Sequence, residues 1–489
     1  MSNSISKAFA WKLLERFGVQ GVQFVLQIVL ARILSPEHYG TLSMMIVFVN
    51  LATVFVQSGF NTALVRKKEV DDKDYSAVFW VSLGIAGIIY IVLFFLSPVI
   101  AKFYNMPDIV MPFRVLGLML FPGAFNSIQV AKVRREMNFK KVFVSNTIGV
   151  VISGIVGIGM AYLGFELWAL VVQTLLNIST TCFVMLVTVK WKPKFSCDIK
   201  KVRDLFSFGW KLLVASLIDV LYQDLRTLVI GKKYDSGTLG YYNRGKQFPQ
   251  FIINAINTSV QTVMLPAMAK EQDEKQKVKT LMRRSIITSA YMIFPMMMGL
   301  AMVATPLITL LLTEKWLPAV PYMQIYCFSL AFYPVHSCNL QAISAMGRSD
   351  ITLRLEIIKK SIGVVSLVIA VVFFDSPIAI ALTGIVTTLI SCFINAYPNK
   401  KLIGYSYLEQ MRDLLPSALT AGFMGFVVYL FSYLNLNCVL MILVQVLVGI
   451  VTYLIASALL HLKGFGFVKE MVKTSIFKKR KASINEEDS

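Results

Sequence analysis

An all-α protein that crosses a membrane about fourteen times is the fold class this sequence predicts, and three observations predict it. Of its 489 residues 56% are hydrophobic and only 15% are charged, against about 25% charged in ordinary soluble domains, so there is too little charge to clothe a water-facing surface. Apolar runs of eighteen or more residues recur along the chain, each long enough to cross the roughly 30 Å hydrocarbon layer as a helix. The runs are continuous and not alternating, which excludes barrel strands, and a helix satisfies its own backbone amides in lipid.

The spans are expected at about 12–34, 40–64, 75–97, 109–131, 142–163, 167–189, 207–230, 248–268, 286–312, 318–345, 357–374, 378–397, 414–433 and 438–461. With the N-terminus assigned to the cytoplasm, the cytoplasmic connections hold 38 Lys and Arg and the outer ones 8, with Lys211 and Arg226 inside a helix. That asymmetry predicts cytoplasmic termini. It also accounts for the net charge of +21 without a nucleic-acid partner, because basic flanks face anionic membrane lipids. One connection fits poorly: residues 231–247 carry Lys232, Lys233, Arg244 and Lys246, yet they fall on the outer side.

The first apolar stretch, 13–34, contains Glu15 and Arg16 and lacks a small-residue cleavage site, so it reads as a mature helix. Six scattered cysteines with no CxxC and no His at ligand spacing read as packed thiols. No Walker A loop, GxSxG or HExxH pattern is present, so neither an ATPase nor an enzyme is expected, and no metal or cofactor. The external connections are short and leave no outer domain. The basic tail is weakly amphipathic and suits the inner leaflet.

Helices 1 and 7 share FAWKLL and FGWKLL, 199 residues apart. Helices 2 and 8 share an Asn and a Gln seven apart, Asn50 and Gln57 against Asn254 and Gln261. Helices 4 and 10 share Pro122 and Gln129 against Pro334 and Gln341. Three matches in order indicate two related six-helix blocks. Six is even, so both blocks run the same way, related by an axis along the membrane normal with a cleft between two lobes. The expected division is an N-terminal lobe at 1–190, a cytoplasmic linker at 191–206, a C-terminal lobe at 207–400, helices 13 and 14 at 401–462 and a basic cytoplasmic tail at 463–489. The matched prolines are either kinks for lobe motion or static bends.

On helix 1, Lys12, Arg16, Gln20, Gln23 and Gln27 fall within roughly 80° of arc, a single polar stripe. The repeat carries those positions to Lys211, Ala215, Asp219, Tyr222 and Arg226 on helix 7, four of them polar. Two readings stand. The stripes are interhelical glue, or they wall a hydrated central cavity, since an intramembrane charge costs at least ~2.5–3.5 kcal/mol against lipid. Asp219 and Asp224 are either ion-pair partners of the nearby cations or sites for a coupling cation. Cations with amides suit an anionic, heavily hydroxylated cargo. Asn126, Asn257 and His336 are further polar positions whose ordinary reading is packing.

The FxWK opening of helix 1, the stretch at 208–250 ending GYYNRGKQFPQ, and LPAMAK at 265–270 resemble the polysaccharide transporter family, which includes Wzx-type flippases of lipid-linked oligosaccharides. The family lies within the multidrug/oligosaccharidyl-lipid/polysaccharide exporter superfamily. The resemblance covers nearly the whole chain. It departs at Gly245, where relatives often carry Ala. The resemblance implies export of undecaprenyl-pyrophosphate-linked oligosaccharide across a bacterial cytoplasmic membrane by alternating access, usually with ion coupling. Lys12, Arg16, Lys211 and Arg226 would hold the pyrophosphate, and a polysaccharide polymerase and export machinery would be partners. Two other functions compete. A drug or cation exporter of the same superfamily calls for an acidic cavity, and a glycan polymerase or ligase calls for a large external loop.

Overall fold

The computed structural model describes residues 18–57, 60, 64, 70–189, 191–194, 199–434 and 436–470. Lys12, Arg16, Cys197 and the tail beyond 470 lie outside them, as do the side chains of Asn257 and Gln261. Among the described residues there are seventeen α-helices and no strand. They are α1 (Gln20–Ile33), α2 (Pro36–Gln57), α3 (Asp72–Phe103), α4 (Val110–Gly117), α5 (Leu120–Glu136), α6 (Phe139–Tyr162), α7 (Glu166–Val189), α8 (Ile199–Lys233) and α9 (Ser236–Lys270). There follow α10 (Lys275–Met302), α11 (Ala304–Leu312), α12 (Val320–Ala331), α13 (Tyr333–Ala345), α14 (Ser349–Phe373), α15 (Pro377–Ile403), α16 (Tyr407–Phe431) and α17 (Cys438–Leu459). Nine helical runs among the described residues are long and apolar enough to span a bilayer. Their surfaces suit lipid and not water: Leu443 and Leu447 on α17 are 61% and 64% exposed.

Three long runs are interrupted. α4 yields to α5 at 118–119, α10 to α11 at Val303, and α12 to α13 at Phe332. Pro122 and Pro334 each lie in the first turn after a break, where the missing N–H leaves no carbonyl unserved. A proline ring meets the carbonyl four residues back, here Leu118 or Leu330, and each helix gives way next to that point. The two repeats thus bend at matched positions. They also close alike, with Met137 (φ 55°) ending α5 and Gly347 (φ 71°) following α13.

By contacts the chain forms two compact units, Met1–Asn243 and Arg244–Ser489. This is a division by packing, a different criterion from the sequence repeat. In the first unit α8 packs on α2 and α3, and the α6–α7 pair is especially close. Ser145, Gly149, Ser153 and Gly157 recur every four residues on α6, all buried. A Cβ on Gly149 would stand 2.3 Å from Thr181 Oγ1 and one on Gly157 2.7 Å from the Gln173 side chain, so small residues set the approach of α7. In the second unit α16 packs on α10 and α17 on α16.

The connections of the first unit sort into two ends. At one end His38 Nε2 lies 3.4 Å from Glu166, Gly40 meets Ser236 and Gly240, and Lys232 donates to the Phe103 carbonyl. At the other Lys132 lies 3.6 Å from Asp72, and Trp80 Nε1 donates to the Lys194 carbonyl over 3.1 Å. The first, third, fifth and seventh connections therefore share one end, and the second, fourth and sixth the other, as alternating spans require. In the second unit Lys279–Glu409 (3.1 Å), Arg283–Asp413 (2.6 Å) and Arg284–Glu470 (2.8 Å) likewise join the α9–α10 and α15–α16 connections and the segment after α17.

The seventh connection differs from its expectation, for a reason that explains its charge. α9 starts at Ser236 and not near 248, so only Tyr234 and Asp235 separate it from α8. Gly240, Gly245 and the cations give this stretch the composition of a loop, but packing holds it helical. Arg244 is only 6% exposed; it donates to Gln247 Oε1 and lies 5.4 Å from the Trp316 ring centre. Lys246 lies 5.8 Å from Tyr326, Lys233 5.7 Å from Tyr234, and Lys232 4.2 Å from Phe103. These four cations are held by aromatic faces and acceptors, which is how they fit the end expected to be poor in positive charge.

Candidate functional site

Within the first unit α1, α2, α5, α6 and α7 surround a two-chambered cavity. The larger chamber, about 930 Å³, is lined by Gln20 and Gln23 from α1, Asn126 and Arg134 from α5, Phe139 and Asn146 from α6, and Asn177 from α7. The smaller, about 380 Å³, shares Gln23, Asn126, Asn146 and Asn177 and adds Gln27, Tyr39, Gln173, Thr174 and Thr181. Arg134 and Phe139 put the larger chamber at the end of the second, fourth and sixth connections. The smaller one extends toward Tyr39 at the opposite end. Both volumes are in the usual range for a ligand site.

The α1 stripe thus continues into this cavity. Gln20, Gln23, Asn126 and Gln173 make no hydrogen bond among the described residues, and Asn177 donates to Ser153 Oγ over a long 3.4 Å. A carboxamide in lipid without a partner costs several kcal/mol, so these groups need water or a bound molecule to satisfy them. Among the described residues Gln20 and Gln23 do not bond to neighbouring helices, which is what interhelical glue requires.

The residues that the repeat places on α8 are disposed differently. Lys211 and Asp219 are exposed, and Tyr222, Asp224 and Arg226 are half-buried. Asp219, Asp224 and Arg226 are each engaged in polar or electrostatic contacts. None of them lines the cavity, while Arg134, Asn146, Gln173 and Asn177, which do, were not nominated by the stripe. A signal for them existed: Gln173 and Asn177 are four apart on one face of an apolar helix, as are Gln23 and Gln27.

The second unit uses the same chemistry for another end. Asn339 Nδ2 donates to Gln410 Oε1 over 2.9 Å, Gln410 Nε2 returns a bond to Asn339 Oδ1 over 3.1 Å, and Asn399 Nδ2 donates to the same oxygen over 2.7 Å. All three residues are fully buried. His336, whose ordinary reading is packing, sits 3.1 Å from Asn395 Nδ2 and 3.7 Å from Cys392 Sγ. Gln341 donates to Ser337 Oγ over 3.0 Å, whereas its repeat mate Gln129 is buried with neither amide atom bonded.

The fold and this cavity define a multi-pass, all-α membrane protein of two related halves. A family described as polysaccharide biosynthesis protein matches residues 29–321, more than half of the chain, and the chain belongs to that family. Among curated relatives it is 23% identical over 413 residues to the lipopolysaccharide biosynthesis protein WzxC of Escherichia coli, covering 83% of this chain and 82% of that one. It is 21% identical to the succinoglycan biosynthesis transport protein ExoT of Rhizobium meliloti, covering 85% and 82%. The teichuronic acid biosynthesis protein TuaB of Bacillus subtilis is 26% identical over 61% of this chain and 62% of its own. Among solved structures, the lipid II flippase MurJ in an inward closed conformation superposes with a TM-score of 0.76 at 18% identity, covering 93% and 99%. An inward-facing multidrug resistance MATE transporter gives 0.62 at 15% identity, covering 80% and 98%.

Proposed function

We propose that this chain is a secondary transporter that flips a lipid-linked oligosaccharide across the bacterial cytoplasmic membrane for surface polysaccharide export. Membership of the polysaccharide biosynthesis family carries the proposal. The succinoglycan transport of the similar ExoT and the lipid II flipping of the similarly folded MurJ support it. The carboxamide-lined cavity adds physical support, because sugar hydroxyls call for groups that both donate and accept. Alternating access follows from two related halves with matched bends, one repeat rocking against the other.

On this reading the seventeen helices make fourteen spans, the three broken runs each counting once. Both termini are cytoplasmic, with the division at 1–190, 207–400 and 401–462 marking the moving parts. Lys12, Arg16, Lys211 and Arg226 hold the pyrophosphate, with Gln20, Gln23, Gln27, Asp219 and Tyr222 contacting the cargo and Asp219 or Asp224 taking the coupling ion. A polymerase and export machinery receive the product.

A drug or cation exporter is the second reading, and the MATE likeness favours it at the level of fold. Cationic cargo needs carboxylates, and among the described residues the one charged group lining the cavity is Arg134. The deciding experiment is deletion of the gene from its own host. Loss of surface polysaccharide with lipid-linked glycan held on the cytoplasmic leaflet is expected. Unchanged polysaccharide with intracellular retention of a cationic dye would replace the proposal with the exporter reading.

A further inference from the structure

Two sets of carboxamides occupy the membrane-buried interior of this chain, and they behave oppositely. In the second unit Asn339, Asn399 and Gln410 are bonded to one another, every side-chain amide and oxygen of the three serving a neighbour except Asn399 Oδ1. In the first unit the smaller chamber is ringed by Gln23, Gln27, Asn126, Asn146, Gln173 and Asn177. Gln23, Asn126 and Gln173 among them have no hydrogen-bond partner in the described residues. Amides that need only to hold helices together close on themselves, as the second set does. Amides that stay open around a space of about 380 Å³ present donors and acceptors to whatever fills it.

The occupant's chemistry follows from what else lines the chamber. No charged side chain does so among the described residues, and the nearest charge of the cavity, Arg134, borders the larger chamber instead. A phosphate, a uronate or an amine would enter the smaller chamber without a counter-charge and at a large desolvation cost. A purely apolar group would strand the amides. A neutral polyhydroxylated ring satisfies both demands, and the Tyr39 ring on the chamber wall offers an apolar face to its C–H side.

We infer that the smaller chamber of the first unit is a recognition pocket for an uncharged sugar ring, so that cargo selection by glycan is made inside one half of the protein. The inference rests on the flippase reading and narrows it to a site and a ligand class.

The test is binding of two lipids to the purified full-length chain in nanodiscs. One is lipid-linked oligosaccharide extracted from the host. The other is the same lipid with its glycan removed down to the bare polyprenyl pyrophosphate. Gln173→Ala on α7 and Asn146→Ala on α6 reach the chamber from different helices, so a folding defect in one leaves the other informative. Each is expected to weaken the glycan-bearing lipid by about fivefold, the scale of one lost hydrogen bond, and to leave the bare lipid unchanged. Equal binding of both lipids by folded wild type and variants overturns the sugar pocket and leaves the flippase standing. Equal weakening of both lipids by the variants overturns it too, because the chamber then acts on protein structure or on the phosphate. Wild type that binds neither lipid overturns the flippase reading itself.

Discussion

Gly40 and Gly240 pack against each other reciprocally. A Cβ on Gly40 would lie 1.7 Å from the Ser236 carbonyl oxygen, and one on Gly240 would lie 2.1 Å from that of Pro36. The two glycines are 200 residues apart, and so are Pro36 and Ser236, so the contact is isologous: each partner sees in the other what it presents itself. It joins the N-terminal ends of α2 and α9. Neither glycine has a positive φ, so closeness and not backbone conformation requires them. Backbone cannot retreat as a flexible side chain can. Gly40→Ala or Gly240→Ala should each cost about 1–3 kcal/mol, the scale of overpacking. One separation of the helices accommodates both methyls, so the double variant should cost clearly less than the sum. Thermal unfolding in detergent measures this, and strict additivity would show that the two positions do not share a contact.

A second prediction concerns the cations. Arg16→Ala and Arg226→Ala should abolish surface polysaccharide while membrane levels of the protein hold, as immunoblotting of membrane fractions would show. Full glycan output from both variants would remove them from any pyrophosphate clamp.

The buried network of the second unit gives a stability prediction. Interhelical hydrogen bonds in membranes average only about 0.6 kcal/mol, but a stranded buried amide costs about 1–3. Asn339→Ala strands both amide atoms of Gln410 and takes from Asn399 its 2.7 Å bond, leaving that Nδ2 the backbone carbonyls of Asn339 and Asn395, whereas Gln410→Ala leaves the Asn399–Asn339 bond in place. The first should therefore destabilise on the order of 3 kcal/mol and the second by less. Denaturant unfolding of the two variants in the reverse order would refute this account of the network. The same bonds fasten α16 to α13, so α16, the thirteenth expected span and one with no counterpart in the repeat, is nonetheless tied into the core of the second unit.

Most of the helix pattern is legible in the sequence, because lipid forces every long apolar run to be a helix. α6, α7 and α17 begin and end within three residues of their expected bounds. The largest departures are α9 and α10, which start twelve and eleven residues before their expected bounds, and the first twelve residues of α9 carry loop-like glycines and cations. Hydropathy counts Arg244 as exposed charge, and only its contacts with Gln247 and Trp316 show otherwise. The cavity is half legible. Periodicity on α1 finds Gln20, Gln23 and Gln27, but Arg134, Asn146, Gln173 and Asn177 come from three other helices, and one sequence holds no record of which faces meet.

Acid should loosen the α8–α9 turn. Partial burial alone would raise the Asp235 carboxyl, but bonds from the Thr238 amide (2.7 Å) and hydroxyl (2.8 Å) outweigh it and hold the group below its ordinary value. A carboxyl depressed in the folded state stabilises above its unfolded pKa of about 3.9 and loses that contribution as pH falls through the lower folded value. The melting difference between wild type and Asp235→Asn should thus be constant from pH 7 to about 5 and shrink below about 4. A difference that does not vary with pH would show that the carboxylate charge has no part in the cap.

The choice between cavity and glue for the α1 stripe can be decided by thiol chemistry. Gln20 and Gln23 line the cavity, whereas Val25 is 59% exposed on the outside of the same helix, the surface expected to meet lipid. In a cysteine-free background, Gln20→Cys and Gln23→Cys should react with a membrane-impermeant maleimide from the side carrying the second, fourth and sixth connections. Val25→Cys should not, because a thiolate does not form in hydrocarbon and the reagent does not enter it. Gln27→Cys, which borders only the smaller chamber, should react more slowly than Gln23→Cys. Protection of positions 20 and 23 in every condition, with the protein shown to be folded, would mean that the chambers are sealed packing defects. The glutamines would then be glue whose partners form only in another state. Graded labelling, fastest at 20 and slowest at 27, is the result that a water-filled path past Arg134 requires.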